Sequence, residues 1–172
     1  MTDIKSRYPA SSASSVAITC DISSLASSAT YAGRASTAVD NTTSVDLDHL
    51  VSGVIRLGTS PATSKTVSVF AYAPVKIITG MPTYPDSITG IDAAKAMTSV
   101  NVAQACLTWL WSGATDAVAG RELYMPPRSI AQAFGAIPPF WGLFVTHDSA
   151  AALDATSGNH YFHYHRIQAQ SV

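Results

Sequence analysis

Four of the five histidines fall in two short stretches near the C-terminus. His160, His163 and His165 crowd the segment from Asn159 to Gln170 (NHYFHYHRIQAQ), and His147 ends the segment from Phe140 to His147 (FWGLFVTH). Alternate residues of a strand share a face, so His163 and His165 project together. A third imidazole from a neighbouring strand would complete a set suited to zinc or nickel. Asp148 adjoins His147, but no glutamate accompanies the group. Tyr161, Phe162 and Tyr164, interleaved with the histidines, give a simpler account: an aromatic, amphipathic strand at a sheet surface or a subunit interface. No metal and no cofactor is therefore expected. Imidazoles titrate near neutrality, so an interface carrying His147, His160, His163 and His165 would loosen in acid.

Other chemistry has less to stand on. No GxSxG elbow, HExxH, P-loop or GxGxxG opens a helix in this chain. The carboxylates Asp40, Asp46, Asp48, Asp86, Asp92, Asp116, Asp148, Asp154 and Glu122 are scattered through loops rather than paired as a glycosidase would need. Arg34 with Asp40 and Asp46 would make an ion pair ordering a Ser/Thr-rich loop. Trp109, Trp111 and Trp141 would suit sugar stacking if exposed, but each lies in an apolar segment and reads as core. Cys20 and Cys106 lie far apart on apolar-alternating segments and read as reduced, buried thiols; a disulfide has no support beyond the even count. No catalytic residue is assigned, and a non-enzymatic protein is expected.

The elements that must position these residues are short and extended. Val16, Ile18, Cys20 and Ile22 alternate with Ala17, Thr19 and Asp21, a period of two that marks a half-buried strand. Further strands are predicted over 48–57, 65–73, 104–112, 140–147 and 159–170. The first two of these read as an antiparallel hairpin across Gly58-Thr59-Ser60-Pro61, as do the last two across 148–158. Trp109 and Trp111 are predicted to share a face. Residues 74–100, with Pro74, Pro82, Pro85, Gly80 and Gly90, form a long connection of the kind that makes interfaces, with one helical turn at 92–97. A second short helix is predicted over 129–134, capped by Ser129. Six to eight short strands with Gly and Pro turns and little helical periodicity predict an all-β fold, an antiparallel β-sandwich or jelly roll with at most one or two short helices. Residues 1–15, Ser-rich and polar, read as a flexible N-terminal arm, and 16–172 as a single β domain.

Composition limits the partners. The 172 residues carry ten Lys and Arg against eleven Asp and Glu, a net charge of -1, so neither nucleic acid nor an anionic membrane is an expected partner. Only 12% of residues are charged while 47% are hydrophobic, about half the usual charged share. Ala, Ser and Thr together supply 66 residues, so the surface is small, hydroxylated and nearly neutral. Such surfaces meet other subunits with few charges to desolvate. Residues 1–15 contain no apolar core for a secretory signal, and no apolar run reaches the length of a membrane span.

Three stretches carry a resemblance: Ala32 to Thr43 (AGRASTAVDNTT), Thr83 to Gly90 (TYPDSITG), and Pro138 to His147 (PPFWGLFVTH) with Asn159-His160. Together they resemble small virion structural proteins of tailed bacteriophages, over most of residues 16–172. The resemblance implies a non-enzymatic particle component made in the host cytoplasm and assembled in many copies, without fixing which; a capsid decoration (cement) protein is the expected role. Its partners would be the major capsid protein or other virion proteins, and it would be a homo-oligomer, a trimer or a dimer. The 1–15 arm and the 74–100 connection are the expected contact elements. A tail or fibre-base component, or a surface carbohydrate-binding module, would fit the same chemistry.

Overall fold

The computed structural model describes residues 4–7 and 15–171. The chain is built almost wholly from antiparallel strands, as the alternating sequence predicts. They are β1 (Ile4–Arg7), β2 (Ser15–Ile18), β3 (Ala32–Ala35), β4 (Val39–Asp40), β5 (Asp48–Arg56), β6 (Thr66–Tyr72), β7 (Lys76–Ile78), β8 (Met81–Thr83), β9 (Ala93–Ala96), β10 (Thr108–Ala114), β11 (Glu122–Ser129), β12 (Phe140–His147) and β13 (Tyr161–Ser171). Two short helices, α1 (Val100–Cys106) and α2 (Ile130–Phe134), complete the set. None of the described helices is long and apolar enough to cross a membrane.

Two sheets form the body. In the first, β2 and β1 both pair with β13, which pairs with β5, which pairs with β11. In the second, the order is β10, β6, β12, β3, β9. The eight long-range strands thus run β2-β13-β5-β11 and β3-β12-β6-β10. This is the order of a jelly roll, in which the chain repeatedly crosses between two facing sheets. Val51, Ile55 and Phe162 from the first sheet meet Val67, Val69, Ala71, Trp141, Leu143 and Val145 from the second in one buried core. The alternation at work is plain in β6: Val67, Val69 and Ala71 face this core while Phe70 and Tyr72 face away.

The second sheet is covered on its other face too. Tyr72, Phe144 and Ala35 there pack under Tyr84, Ile88, Met97, Ala103 and Leu107, all from the connection between β6 and β10. That double cover accounts for β12, which is buried along nearly its whole length and reads in sequence as a continuous apolar run.

Several sequence expectations are corrected. The segments 48–57 and 65–73 do not form a hairpin: β5 lies in the first sheet and β6 in the second. The same holds for β12 and β13. In both cases the apolar faces gain more by closing a core from two sides than by pairing locally. Residues 92–97 form no helical turn; Ala93–Ala96 is an edge strand on β3, and the helix comes later, at 100–106, with Ser99 accepting from the Val102 N–H. That helix takes Cys106 out of the predicted strand, so Cys106 is half-buried on α1 whereas Cys20 is buried. Burial pushes the Cys20 thiol far up. Trp109 and Trp111 do not share a face, because a bulge between them shifts the register and turns both Leu110 and Trp111 inward. The capped helix at 129–134 forms where expected: the Ser129 hydroxyl accepts from the Gln132 N–H and in turn donates to Asp48. Of the 1–15 arm, the described residues are extended: Ile4–Arg7 lies along the end of β13 and Ser15 opens β2.

The close seating of β3 on β12 requires a residue with no side chain at Gly33, where a Cβ would run into the Val145 carbonyl and the Phe144 ring. Gly33→Ala is expected to lower stability by about 2 kcal/mol or more in chemical denaturation. Gly158→Ala, at a position with open space around it, should leave the midpoint unchanged.

Candidate assembly surface

The polar groups that might have done chemistry are engaged inside the fold. Asp46 is the centre of the largest group. Its side chain is fully buried at the end of the 41–47 turn and accepts from His49 Nε2 at 2.9 Å, Arg166 Nε at 2.7 Å and Gln168 Nε2 at 2.8 Å. The Asn41 amide closes the turn, accepting from the Asp46 N–H and donating to the Asp46 carbonyl. On its far side His49 Nδ1 accepts from Trp141 Nε1 at 2.9 Å. An indole N–H can only donate, so His49 carries its proton on Nε2 and is neutral. Burial pushes the His49 pKa down, with Asp46 opposing. Burial also pushes the Asp46 carboxyl up, but the bonds from Arg166, His49 and Gln168 outweigh it and hold the group far below the usual carboxylate range.

The histidine cluster is not assembled as one site. His147 is buried at the end of β12, with Nε2 bonded to the Leu25 carbonyl and Nδ1 to Ser149; burial lowers its pKa. His160 is buried in another corner, accepting from the Arg56 N–H and donating to the Asp154 carbonyl. Only His163 and His165 share an outer face, as their spacing predicts, with His163 bonded to Ser15. Among the described residues no three His, Cys, Asp or Glu side chains are grouped to hold a metal ion. The expected pairing of Arg34 with Asp40 and Asp46 is replaced: Arg34 pairs with Asp92 at 2.6 Å, Asp40 caps the Thr42 turn, and Asp46 belongs to the buried group. Trp111 and Trp141 are core, whereas Trp109 is 57% exposed.

What stands free is an arm. The 74–100 connection divides in two: residues from Tyr84 onward cover or extend the second sheet, and 74–83 (PVKIITGMPT) leave the body as a hairpin of β7 and β8 that pairs with no other strand among the described residues. Thr79 and Gly80 both take left-handed backbone at its tip, with φ of 50° and 78°, the requirement of a tight two-residue hairpin turn. Val75, Ile77, Ile78 and Met81 are all exposed, Val75 at 70% and Met81 at 75%, and Lys76 is the one charge among these ten residues. A lone two-stranded hairpin is marginal in water, and one this apolar has a surface suited to burial against a second molecule. The prolines and glycine of the segment mark it as a connection, but Val75, Ile77 and Ile78 are the more telling signal, because none of the described residues buries them.

No protein-family model matches this chain, and no curated protein matches it.

The buried polar group sets the response to acid. His49 and His147 have folded-state pKa values below the unfolded one, so their contribution is complete above about pH 6.5 and is lost as pH falls below it. Asp46, held low, contributes above about pH 4 and is lost as pH falls further. Melting temperature is expected to be level from pH 7 to 9 and to drop in these two stages. Asp46→Asn should cost roughly 3 kcal/mol at pH 7, because Arg166 loses its buried counter-charge, and should flatten the lower stage in the same titration.

Proposed function

We propose that this chain is a non-enzymatic structural protein of a tailed bacteriophage virion, a capsid decoration protein that binds and stabilises the major capsid lattice. The observation that carries this reading is the β7–β8 hairpin, an apolar arm with only one charge and no partner within the described fold. The jelly roll is consistent with it, since viral capsid domains use that architecture among others, although fold by itself does not assign function. Three sequence features agree: low charge, many small hydroxylated residues, and the resemblance of residues 32–43, 83–90 and 138–147 to small phage virion proteins.

The mechanism is adhesion. Each large side chain of the arm removed from water contributes roughly 1.5–3 kcal/mol before ordering costs. A modest contact repeated over a closed lattice then adds up, because every copy meets its neighbours with the same patch. Self-association into a trimer or dimer belongs to the same proposal. The body of the fold, pinned internally, serves as a rigid mount for the arm.

In purified particles the copy number, measured by quantitative mass spectrometry, is expected to be comparable to that of the major capsid protein. A value of a few tens or fewer would reassign the chain to the tail or fibre base. Ile78→Asp with Met81→Asp should leave the melting temperature of the isolated protein within about 1 kcal/mol equivalent of wild type while abolishing its retention on particles in a sedimentation assay.

A further inference from the structure

The outer face of the first sheet carries a second exposed feature, far simpler in make-up than the arm and different in chemistry. Tyr124 on β11, Val54 on β5 and Tyr161 on β13 are in register across three neighbouring strands. Strands lie about 4.8 Å apart, so the two tyrosines stand roughly 10 Å apart on either side of Val54. Val54 is only 5% exposed, whereas Tyr124 is 65% and Tyr161 50% exposed. Two exposed tyrosines thus flank a buried valine on this face. Along β13 the aromatic surface continues into His163, whose ring meets Tyr161 edge-on at 5.6 Å.

Beside this pair the 115–121 loop and the start of β11 form a shallow, open depression of about 360 Å³ lined by Val118, Gly120, Arg121, Glu122 and Tyr124. Polar groups converge on its rim. Glu122 lies opposite Arg56 in the sheet and accepts from the Tyr124 hydroxyl. The Arg56 guanidinium passes over Gly120, where a Cβ would come within 3.2 Å of its Nη2. Its Nε is buried and has no hydrogen-bond partner among the described residues; the Asp154 carboxylate lies 3.9 Å away.

We infer that Tyr124 and Tyr161, with Glu122 and Arg56 at the rim, form a binding platform for a neutral saccharide. Exposed aromatic rings accept the apolar faces of sugar rings, and two tyrosines two strand spacings apart offer two contacts to one chain. The rim decides the class of occupant. Arg56 and Arg121 stand against Asp116, Glu122 and Asp154, a mixed set without the positive excess an anionic polymer needs. Hydroxyl groups both donate and accept, so a neutral polyol satisfies guanidinium and carboxylate alike. An apolar protein surface would instead strip these ions of water without offering them hydrogen bonds, which is costly. The platform does not rest on the assembly reading, because it lies on the sheet face and not on the 74–83 arm.

The test is affinity electrophoresis of the isolated protein through gels containing dextran, mannan or hydroxyethyl cellulose as neutral probes and alginate as the anionic one. At least one neutral probe should retard the protein. Tyr124→Ala and Tyr161→Ala should each weaken that retardation about tenfold, Tyr→Phe at either position should preserve it, and Trp109→Ala should leave it unchanged. If an alanine variant melts early, threonine at the same position keeps strand propensity and replaces it. Failure of all three neutral probes, retardation by alginate alone, or retardation that survives loss of both rings would overturn the inference. None of those results would bear on the copy number in particles or on the arm variants.

Discussion

The carboxylate of Asp46 is the constraint on which the rest of the structure depends. It belongs to a turn, yet its partners come from β5 through His49 and from β13 through Arg166 and Gln168. Through His49 it reaches Trp141 on β12, in the opposite sheet. One ionised oxygen pair thereby fixes the turn, the register of two neighbouring strands and the spacing between the sheets. A buried charge is tolerable only when its hydrogen-bonding capacity is filled, and here each partner is placed by a different element. The group works as a check on correct closure as much as a source of stability. The rings around it, His49 to Tyr164 at 4.4 Å and Trp141 to Tyr164 at 5.7 Å, exclude water from the same spot.

This arrangement explains the division between interior and surface. His147 and His160 likewise hold loops to strands by bonds to backbone groups. With these groups engaged internally, the outside keeps few charges, and its distinctive features are apolar: the hairpin arm, Trp109 and the tyrosine pair. Rigid body and sticky periphery are two results of the same placement of polar residues.

Much of the fold was legible in the sequence because its strands alternate cleanly. Val67, Val69 and Ala71 against Phe70 and Tyr72 named both faces of β6, and the apolar run at 140–147 named the central strand. Pairing was not legible. Adjacent strands with a short link look like a hairpin whether they pair or face each other, and the choice between those outcomes lies in cores assembled from distant residues. The Asp46 group was invisible for the same reason: Asp46 and His49 are three apart, but Trp141, Arg166 and Gln168 are roughly a hundred or more positions away. The tyrosine pair was hidden too, since Tyr124 and Tyr161 are brought together only by β5 running between them. The 74–100 segment was recognisable as a connection, but its split into a cover and an arm depends on which residues find a sheet to rest on.

Both strands that flank one end of the sandwich are irregular. In β10 the bulge falls at Leu110, and in β11 the register slips between Met125 and Arg128, where Pro126 and Pro127 stand. Proline has no N–H to offer, and a bulged ladder twists away from any flat neighbour. The open side of β11, outermost in its sheet, is thereby a poor template for an incoming strand. Were copies of this chain to gather at high local density, as the proposed role requires, they would touch through side chains without fusing their sheets into endless ribbons.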